Sequence, residues 1–303
     1  MNGVKEWIRG SRPFSFTGSV APTLLGALWA YRGGSFNALL LAGTIVAILL
    51  LHAGVNLFSD YKDFSNKVDV PGSYGSSGVL LEGTLSPQSA RRGGLICLVA
   101  GTLIGVGIGI LQGPMVLVLG LAGALIGYSY TGSPLKLKYR GLGAPAVFLI
   151  YGPMIALGSY YVQAQHFSWG ILALSIPLGL LTTCILHSND IRDMSYDKAA
   201  GIKTLSLGIG RQGAELLYNG MLYGAYVAIL VMIGTRLLPV WSLVCLASLP
   251  VAFRLTRTLT GSKGGAEGIR LLDQQSAQLH TQFSVLMLAS LWLPLLFRQG
   301  VFS

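Results

Sequence analysis

The chain carries only eleven acidic residues among 303, and six of them fall in two short stretches: Asp60, Asp63 and Asp69, then Asp190, Asp193 and Asp197. The first stretch reads Asn56-Leu-Phe-Ser-Asp60-Tyr-Lys62-Asp63 and the second Ser188-Asn189-Asp190-Ile-Arg192-Asp193, so both contain [Ser/Asn]-Asp-x-[Lys/Arg]-Asp. Residues three apart share a helix face, which lets each pair aim two carboxylates at one spot. Carboxylate oxygens are hard ligands that suit Mg²⁺, Mn²⁺ or Ca²⁺. Mg²⁺ in particular combines one or two carboxylates with substrate phosphates, and two such motifs facing one another would hold a diphosphate between metal ions. Asn56, one helical turn before Asp60, adds an amide oxygen on the same face. The plainer alternative, surface ion pairs with Lys62 and Arg192, explains one such motif more readily than two.

The elements that position these acids follow from composition. Hydrophobic residues make up 52% of the chain and charged residues 11%, with a mean hydropathy of +0.62, whereas soluble domains are about a quarter charged. A water-soluble globule is excluded. A membrane-spanning helix needs about 20 apolar residues, and nine stretches fit, at 13–31, 37–58, 93–111, 114–131, 141–162, 169–188, 214–233, 238–253 and 283–297. The nearly continuous apolar runs Leu39–Leu51 and Leu95–Leu111 lack the alternation of a transmembrane barrel. The expected fold is therefore all-α: one polytopic membrane domain over residues 1–303, with nine transmembrane helices around a central cavity. Each aspartate motif ends an even-numbered span, the second or the sixth, which suggests a 4+4 internal repeat followed by one helix.

Charge placement gives the topology. Under strict alternation, eighteen of the 21 basic residues fall on one side, and only Arg32, Arg236 and Arg298 on the other. The positive-inside rule then puts the N-terminus, and both motifs with it, in the cytoplasm. The net charge of +10 accordingly belongs to membrane topology and not to a nucleic-acid partner. Twelve mostly polar residues precede the first span without a cleavage site, so that helix is expected to remain. Cys97, Cys184 and Cys245 are odd in number and scattered, which indicates neither a disulfide framework nor a thiolate metal site. His52 and His187, late in spans 2 and 6, read as hydrogen-bonded structure. Residues 64–92, rich in Gly and Ser, are longer than an ordinary connection and form a candidate lid or a linker. Lys138, Arg192 and Lys203 lie on the same membrane face as the acids and are candidates to neutralise a diphosphate, or simply to anchor their loops at lipid headgroups.

These residues resemble the UbiA-type superfamily of intramembrane aromatic prenyltransferases. Within it, Asn56 to Asp63 followed by Asp69 and Gly75-Ser-Ser-Gly78-Val-Leu are similar to the 1,4-dihydroxy-2-naphthoate polyprenyltransferase branch. So are Tyr130-Thr-Gly-Ser-Pro134, Lys138-Tyr-Arg-Gly-Leu-Gly143 and Asn189-Asp-Ile-Arg-Asp193 continuing through Asp197 and Gly201 to Lys203-Thr-Leu205. Ser59 and Ser76 depart from the usual pattern, and residues 70–90 lack the arginines of the 4-hydroxybenzoate branch. The resemblance implies nine helices, and Mg²⁺, two ions bound with the diphosphate. It further implies transfer of a polyprenyl group from polyprenyl diphosphate to 1,4-dihydroxy-2-naphthoate, with loss of CO₂ and diphosphate, to give a demethylmenaquinone. Asp60, Asp63, Asp190 and Asp193 would be the catalytic metal ligands, joined by Asn56 and Asp197. Lys62, Lys138, Arg192, Lys203, Asp69, Asn189 and Tyr130 would bind the diphosphate and the acceptor. The setting implied is the lipid bilayer of a bacterial cytoplasmic membrane, with the active site facing the cytoplasm. Alternatives are another aromatic acceptor such as 4-hydroxybenzoate, or a secondary transporter, whose acids would lie near the bilayer midplane on broken helices.

Overall fold

In the computed structural model, residues 2–74, 76–262 and 265–298 are described. Gly75 and Lys263 fall outside the described residues, as do the side chains of Asn2 and residues 296–298. The helices are α1 (Asn2–Ser11), α2 (Thr17–Arg32), α3 (Ala38–Ser65), α4 (Pro87–Gln112) and α5 (Pro114–Ser129), then α6 (Gly143–Ala164), α7 (Trp169–Arg192) and α8 (Met194–Ala199), and last α9 (Leu205–Gly234), α10 (Val240–Gly261) and α11 (Leu272–Arg298). No strand occurs among the described residues, only an isolated bridge between Arg140 and Lys203. Six helices (α3, α4, α6, α7, α9 and α10) are long and apolar enough to cross a membrane, and α5 is a shorter apolar helix of 16 residues.

Helix starts follow local chemistry. The Asn37 side chain accepts from the Leu39 and Leu40 amides at the head of α3, and Ser86 accepts from the Ser89 amide ahead of Pro87, whose missing N–H costs nothing in a first turn. Hydropathy does not single out α1, which is short and mostly polar. Its apolar positions Val4, Trp7 and Ile8 share one face, and Trp7 packs against the loop before α4. In α6, Pro153 cannot donate a backbone hydrogen bond, and the chain takes a π turn over Ile150–Met154 that holds Tyr151 in the cavity wall.

The core is centred on α7, where Ile171, Leu174, Leu178 and Leu181 are buried against Tyr218, Leu222 and Ile229 of α9 and Leu279, Phe283 and Met287 of α11. The opposite side of the bundle is looser, and α4 and α5 present Ile96, Leu103, Val118 and Leu125 outward, as lipid-facing surfaces do. Where helices meet most closely they do so through glycine. A Cβ on Gly26 would lie 2.4 Å from the Ala156 carbonyl oxygen across the α2–α6 contact, and one on Gly54 would lie 2.9 Å from the Gly94 carbonyl across α3–α4.

Candidate active site

α3 stays helical past its apolar stretch, through Ser65, and so carries both Asp60 and Asp63 beyond the core. α7 likewise runs to Arg192 and carries Asp190. Asp193 terminates it, and the short α8 places Asp197 one turn further on. One cavity of about 270 Å³ receives the two motifs. Asp63 and Asp69 line it from the first, and Asp190, Asp193 and Asp197 from the second, with Asn56, Asn189, Tyr130 and Lys138 beside them.

The individual carboxylates differ in their partners. Asp63 accepts from Lys138 Nζ at 2.7 Å and from the Tyr139 hydroxyl at 2.5 Å. Asp193 accepts a fork from Arg192, with Nε at 3.1 Å and Nη2 at 2.9 Å. Asp60 does not line the cavity. It is 1% exposed, ion-paired with Arg12, and accepts from the Ser77 amide at 3.2 Å and the Ser77 hydroxyl at 2.5 Å. Asn56 lines the cavity and commits its amide nitrogen to the Ser11 carbonyl at 2.8 Å.

Burial pushes Asp69 up to about 7, with help from the negative charge of Asp63, and burial pushes Asp197 up to about 7 as well. Burial by itself would lower the Lys138 ammonium, but Asp63, Tyr130 and Asp69 around it outweigh that and hold it well above its ordinary value, so it stays charged.

The structure does not bring three of the predicted cations to the cavity. Lys62 follows Asp60 by two positions and so leaves that helix face; its ammonium sits over the Phe58 and Tyr61 rings at 5.5 and 5.6 Å. Arg192 is buried, and besides Asp193 it donates to the carbonyls of Tyr74 (2.9 Å) and Arg270 (3.1 Å) and pairs with Asp273 at 3.5 Å. Lys203 is exposed, and its backbone N–H donates to the Tyr139 carbonyl. Lys138 alone of the predicted cations lines the cavity. Arg12 and Ser77 were missed as site residues because 48 and 17 positions separate them from Asp60, too far for spacing to signal a contact.

The stretch expected to be non-helical over 64–92 is shorter, running 66–86, because α3 holds Phe64 and Ser65 while Ser86 and Pro87 start α4. It is tied down rather than a free linker. Val79, Leu80 and Leu85 are buried against Leu57 and Ala90, Arg9 pairs with Glu82, and the Gly72 carbonyl accepts from the Tyr196 hydroxyl at 2.8 Å. His52, flanked by Phe16 and Tyr151 and hydrogen-bonded by Ser15 and Ser19, lies in the cavity wall between the acids and an apolar lower half.

A divalent cation suits this donor set. Asp69 Oδ2 and Asn189 Oδ1 are buried oxygens without a hydrogen-bond partner, an expensive state unless something else binds them. Among the described residues no three acidic, His or Cys side chains converge into a ready cage, so phosphate oxygens would have to complete the coordination, as they commonly do for Mg²⁺.

The UbiA prenyltransferase family model matches residues 19–269. The UbiA prenyltransferase domain-containing protein 1 of Gallus gallus is 31% identical over 278 residues, covering 90% of this chain and 80% of that protein. The 1,4-dihydroxy-2-naphthoate octaprenyltransferase of Mycobacterium tuberculosis is 30% identical over 278 residues, covering 90% of this chain and 92% of that protein. A solved UbiA homolog from Archaeoglobus fulgidus, bound to GPP and Mg²⁺, has the same fold, with a TM-score of 0.60 at 12% identity over 93% of this chain and 99% of that one.

Proposed function

The chain belongs to the UbiA prenyltransferase family of membrane enzymes, and on that premise we propose that it transfers a polyprenyl group from polyprenyl diphosphate to 1,4-dihydroxy-2-naphthoate, releasing CO₂ and diphosphate and giving the reduced, quinol form of a demethylmenaquinone. The observation that carries this reading is the convergence of two acid motifs, 130 residues apart in sequence, on one cavity where Lys138 hydrogen-bonds Asp63. The naphthoate acceptor draws support from the relative in Mycobacterium tuberculosis and from the arginine-free stretch 70–90.

Asp63, Asp69 and the Asn56 oxygen would hold metal from the first motif, and Asp190, Asp193, Asp197 and the Asn189 oxygen from the second. Mg²⁺ held there would supply positive charge to offset what builds on the leaving diphosphate. Asp60 acts through Arg12, which it holds at the cavity wall. Lys138 and Arg12 face the departing diphosphate as fixed positive charges, already oriented and mostly shielded from water, where such charges act most strongly on a developing anion. Arg192 fastens Asp193 to the 66–86 loop through the Tyr74 carbonyl, and that loop excludes water that would capture the allylic cation. The allylic C–O bond breaks toward diphosphate and the acceptor ring carbon forms the new C–C bond. The electrons of the severed C–CO₂ bond then restore the aromatic ring. Tyr130 and His52 flank the space left for the acceptor, and the apolar lower cavity takes the prenyl tail.

The same reading makes residues 1–303 a single domain of nine transmembrane helices, α2 to α7 and α9 to α11, with the N-terminus and the acids on the cytoplasmic side and a 4+4 repeat relating α3 to α7. The charge distribution supports the orientation.

Purified protein supplied with Mg²⁺, a polyprenyl diphosphate and 1,4-dihydroxy-2-naphthoate yields a prenylated product lighter by CO₂ than simple addition, and a chelator abolishes it. Mass spectrometry reads the result, and product from 4-hydroxybenzoate alone would overturn the acceptor while keeping the chemistry. A second expectation follows from Asp69 and Asp197. An acid raised to about 7 in the fold opposes folding once it ionises, so its contribution is fully present below the ordinary carboxylate value near 4 and is lost as pH rises through about 7. Mg²⁺ with diphosphate binds the ionised form, and therefore raises the Tm more at pH 8 than at pH 6. Equal shifts at the two values would remove these acids from the metal site.

A further inference from the structure

Below His52 the cavity has a regular construction that the chemistry at its mouth does not require. Along α3 it extends from Asp63 to Thr44, nineteen residues or about 28 Å of helix, close to the roughly 30 Å thickness of a bilayer core. At the end far from the acids it stops against Ile108 of α4, Val116 of α5 and Val162 of α6. All three are buried, and Leu40, Ile104 and Tyr161 pack against them. The α4–α5 and α6–α7 turns outside this stop are joined by a hydrogen bond from Gln165 to Gln112 at 2.8 Å.

On each of these three helices a glycine lies one turn nearer the mouth than the stop residue: Gly105 before Ile108, Gly120 beside Val116 and Gly158 before Val162. Because α5 runs opposite to α4 and α6, the order in sequence is reversed there while the order in depth is the same. These glycines are not close-packing devices of the kind seen at Gly26 and Gly54. A Cβ at Gly105 or Gly120 would meet nothing within 4 Å, and one at Gly158 only the tip of Leu119 at 4.0 Å. Glycine weakens a helix interior relative to alanine, and here it obtains no contact in return. What it leaves is open width up to the depth where the β-branched residues close the space.

We propose that this ring of glycines and its floor set the chain length of the prenyl diphosphate: the glycines keep the lower groove wide enough for the tail, and Ile108, Val116 and Val162 limit how far it can run. The inference rests on the prenyl-diphosphate reading of the mouth and deepens it, since it assigns substrate selection to residues on α4, α5 and α6 that touch neither acid motif.

The test compares geranyl, farnesyl, geranylgeranyl and solanesyl diphosphates in Gly105→Leu and Val116→Ala against the parent protein. Gly105→Leu places a side chain across the groove. It lowers kcat/KM for solanesyl relative to geranyl diphosphate by at least about ten-fold, in the range that one or a few methylenes command in an apolar pocket, while geranyl transfer stays near the parent rate and reports an intact fold and mouth. Val116→Ala lowers the floor and moves the same ratio the other way. Ratios unchanged in both variants would overturn the proposal. Thermal stabilisation of the protein by each diphosphate with Mg²⁺ reads the same length limit without any acceptor. A wrong acceptor therefore silences turnover but leaves the length profile measurable, and the absence of stabilisation by any diphosphate would reject both the profile and the reading of the mouth.

Discussion

Asp63→Asn and Asp193→Asn each reduce prenyl transfer by at least about 10³-fold, the upper range for losing one preorganised electrostatic group at a reacting centre, while the protein remains folded in detergent. The amide keeps the shape of the carboxylate and loses only its charge. In Asp63→Asn the amide oxygen would still accept from Tyr139, whose hydroxyl lies 2.5 Å from the Asp63 oxygen, so the local scaffold survives. Lys138, however, loses its counter-ion at 2.7 Å, and an unpaired, largely buried charge is costly. Some of the loss in Asp63→Asn is therefore expected to appear as lower stability. The double variant Asp63→Asn with Lys138→Met separates the two effects: it removes the stranded charge and recovers Tm, yet it does not recover turnover. Full activity in either single variant would dismantle the two-motif site.

Lys138→Met is the second large effect. Methionine keeps the unbranched apolar stem and deletes the ammonium, leaving Asp63 held by Tyr139 alone. We expect kcat to fall by about 10²-fold with a weaker KM for the diphosphate, because the lost charge acts both on the bound substrate and on the departing diphosphate. Activity near that of the parent protein would assign Lys138 to the headgroup-anchoring role that its loop position also fits. Lys62→Met, by contrast, is expected to be close to neutral in the same assay, since that ammonium lies over the Phe58 and Tyr61 rings and away from the cavity.

The identity of the acids was readable from their types and spacing. With so few charges in the chain, carboxylates at one helix face next to long apolar runs stand out, because an ionised group near a membrane core is expensive and persists only where something uses it. The helices that carry them were readable for the same reason: 37–58 and 169–188 are apolar enough to demand burial, and α3, capped by Asn37, and α7 cover them. Exact ends were not. α3 continues through Ser65 and α9 begins at Leu205, because polar residues extend a helix freely once it has left the apolar layer, and hydropathy is silent there.

Partners across the fold needed the tertiary structure. Local spacing made Lys62, Arg192 and Lys203 as good candidates as Lys138, since each is a cation in or near a motif. Their separation came from helix phase and loop path: a two-residue offset turns Lys62 away from Asp60, Arg192 is consumed by Asp193, Asp273 and two carbonyls, and Lys203 is exposed. In the sequence Arg12 is only one of the basic residues ahead of the first apolar stretch, and it joins the site because the α1–α2 connection passes beside Asp60.

By itself the sequence determined that the chain is helical and membrane-embedded, that its acids cluster in two short motifs, and that its basic residues are unevenly spread among the loops. Those properties are sums over composition and short-range periodicity, to which every residue contributes wherever the chain goes. Which acid meets which cation, how α3 and α7 bring their motifs to one cavity, and where the apolar groove ends at Ile108, Val116 and Val162 were decided by packing among segments far apart in the chain. Such contacts depend on the relative rotation and depth of whole helices, and no local pattern encodes them.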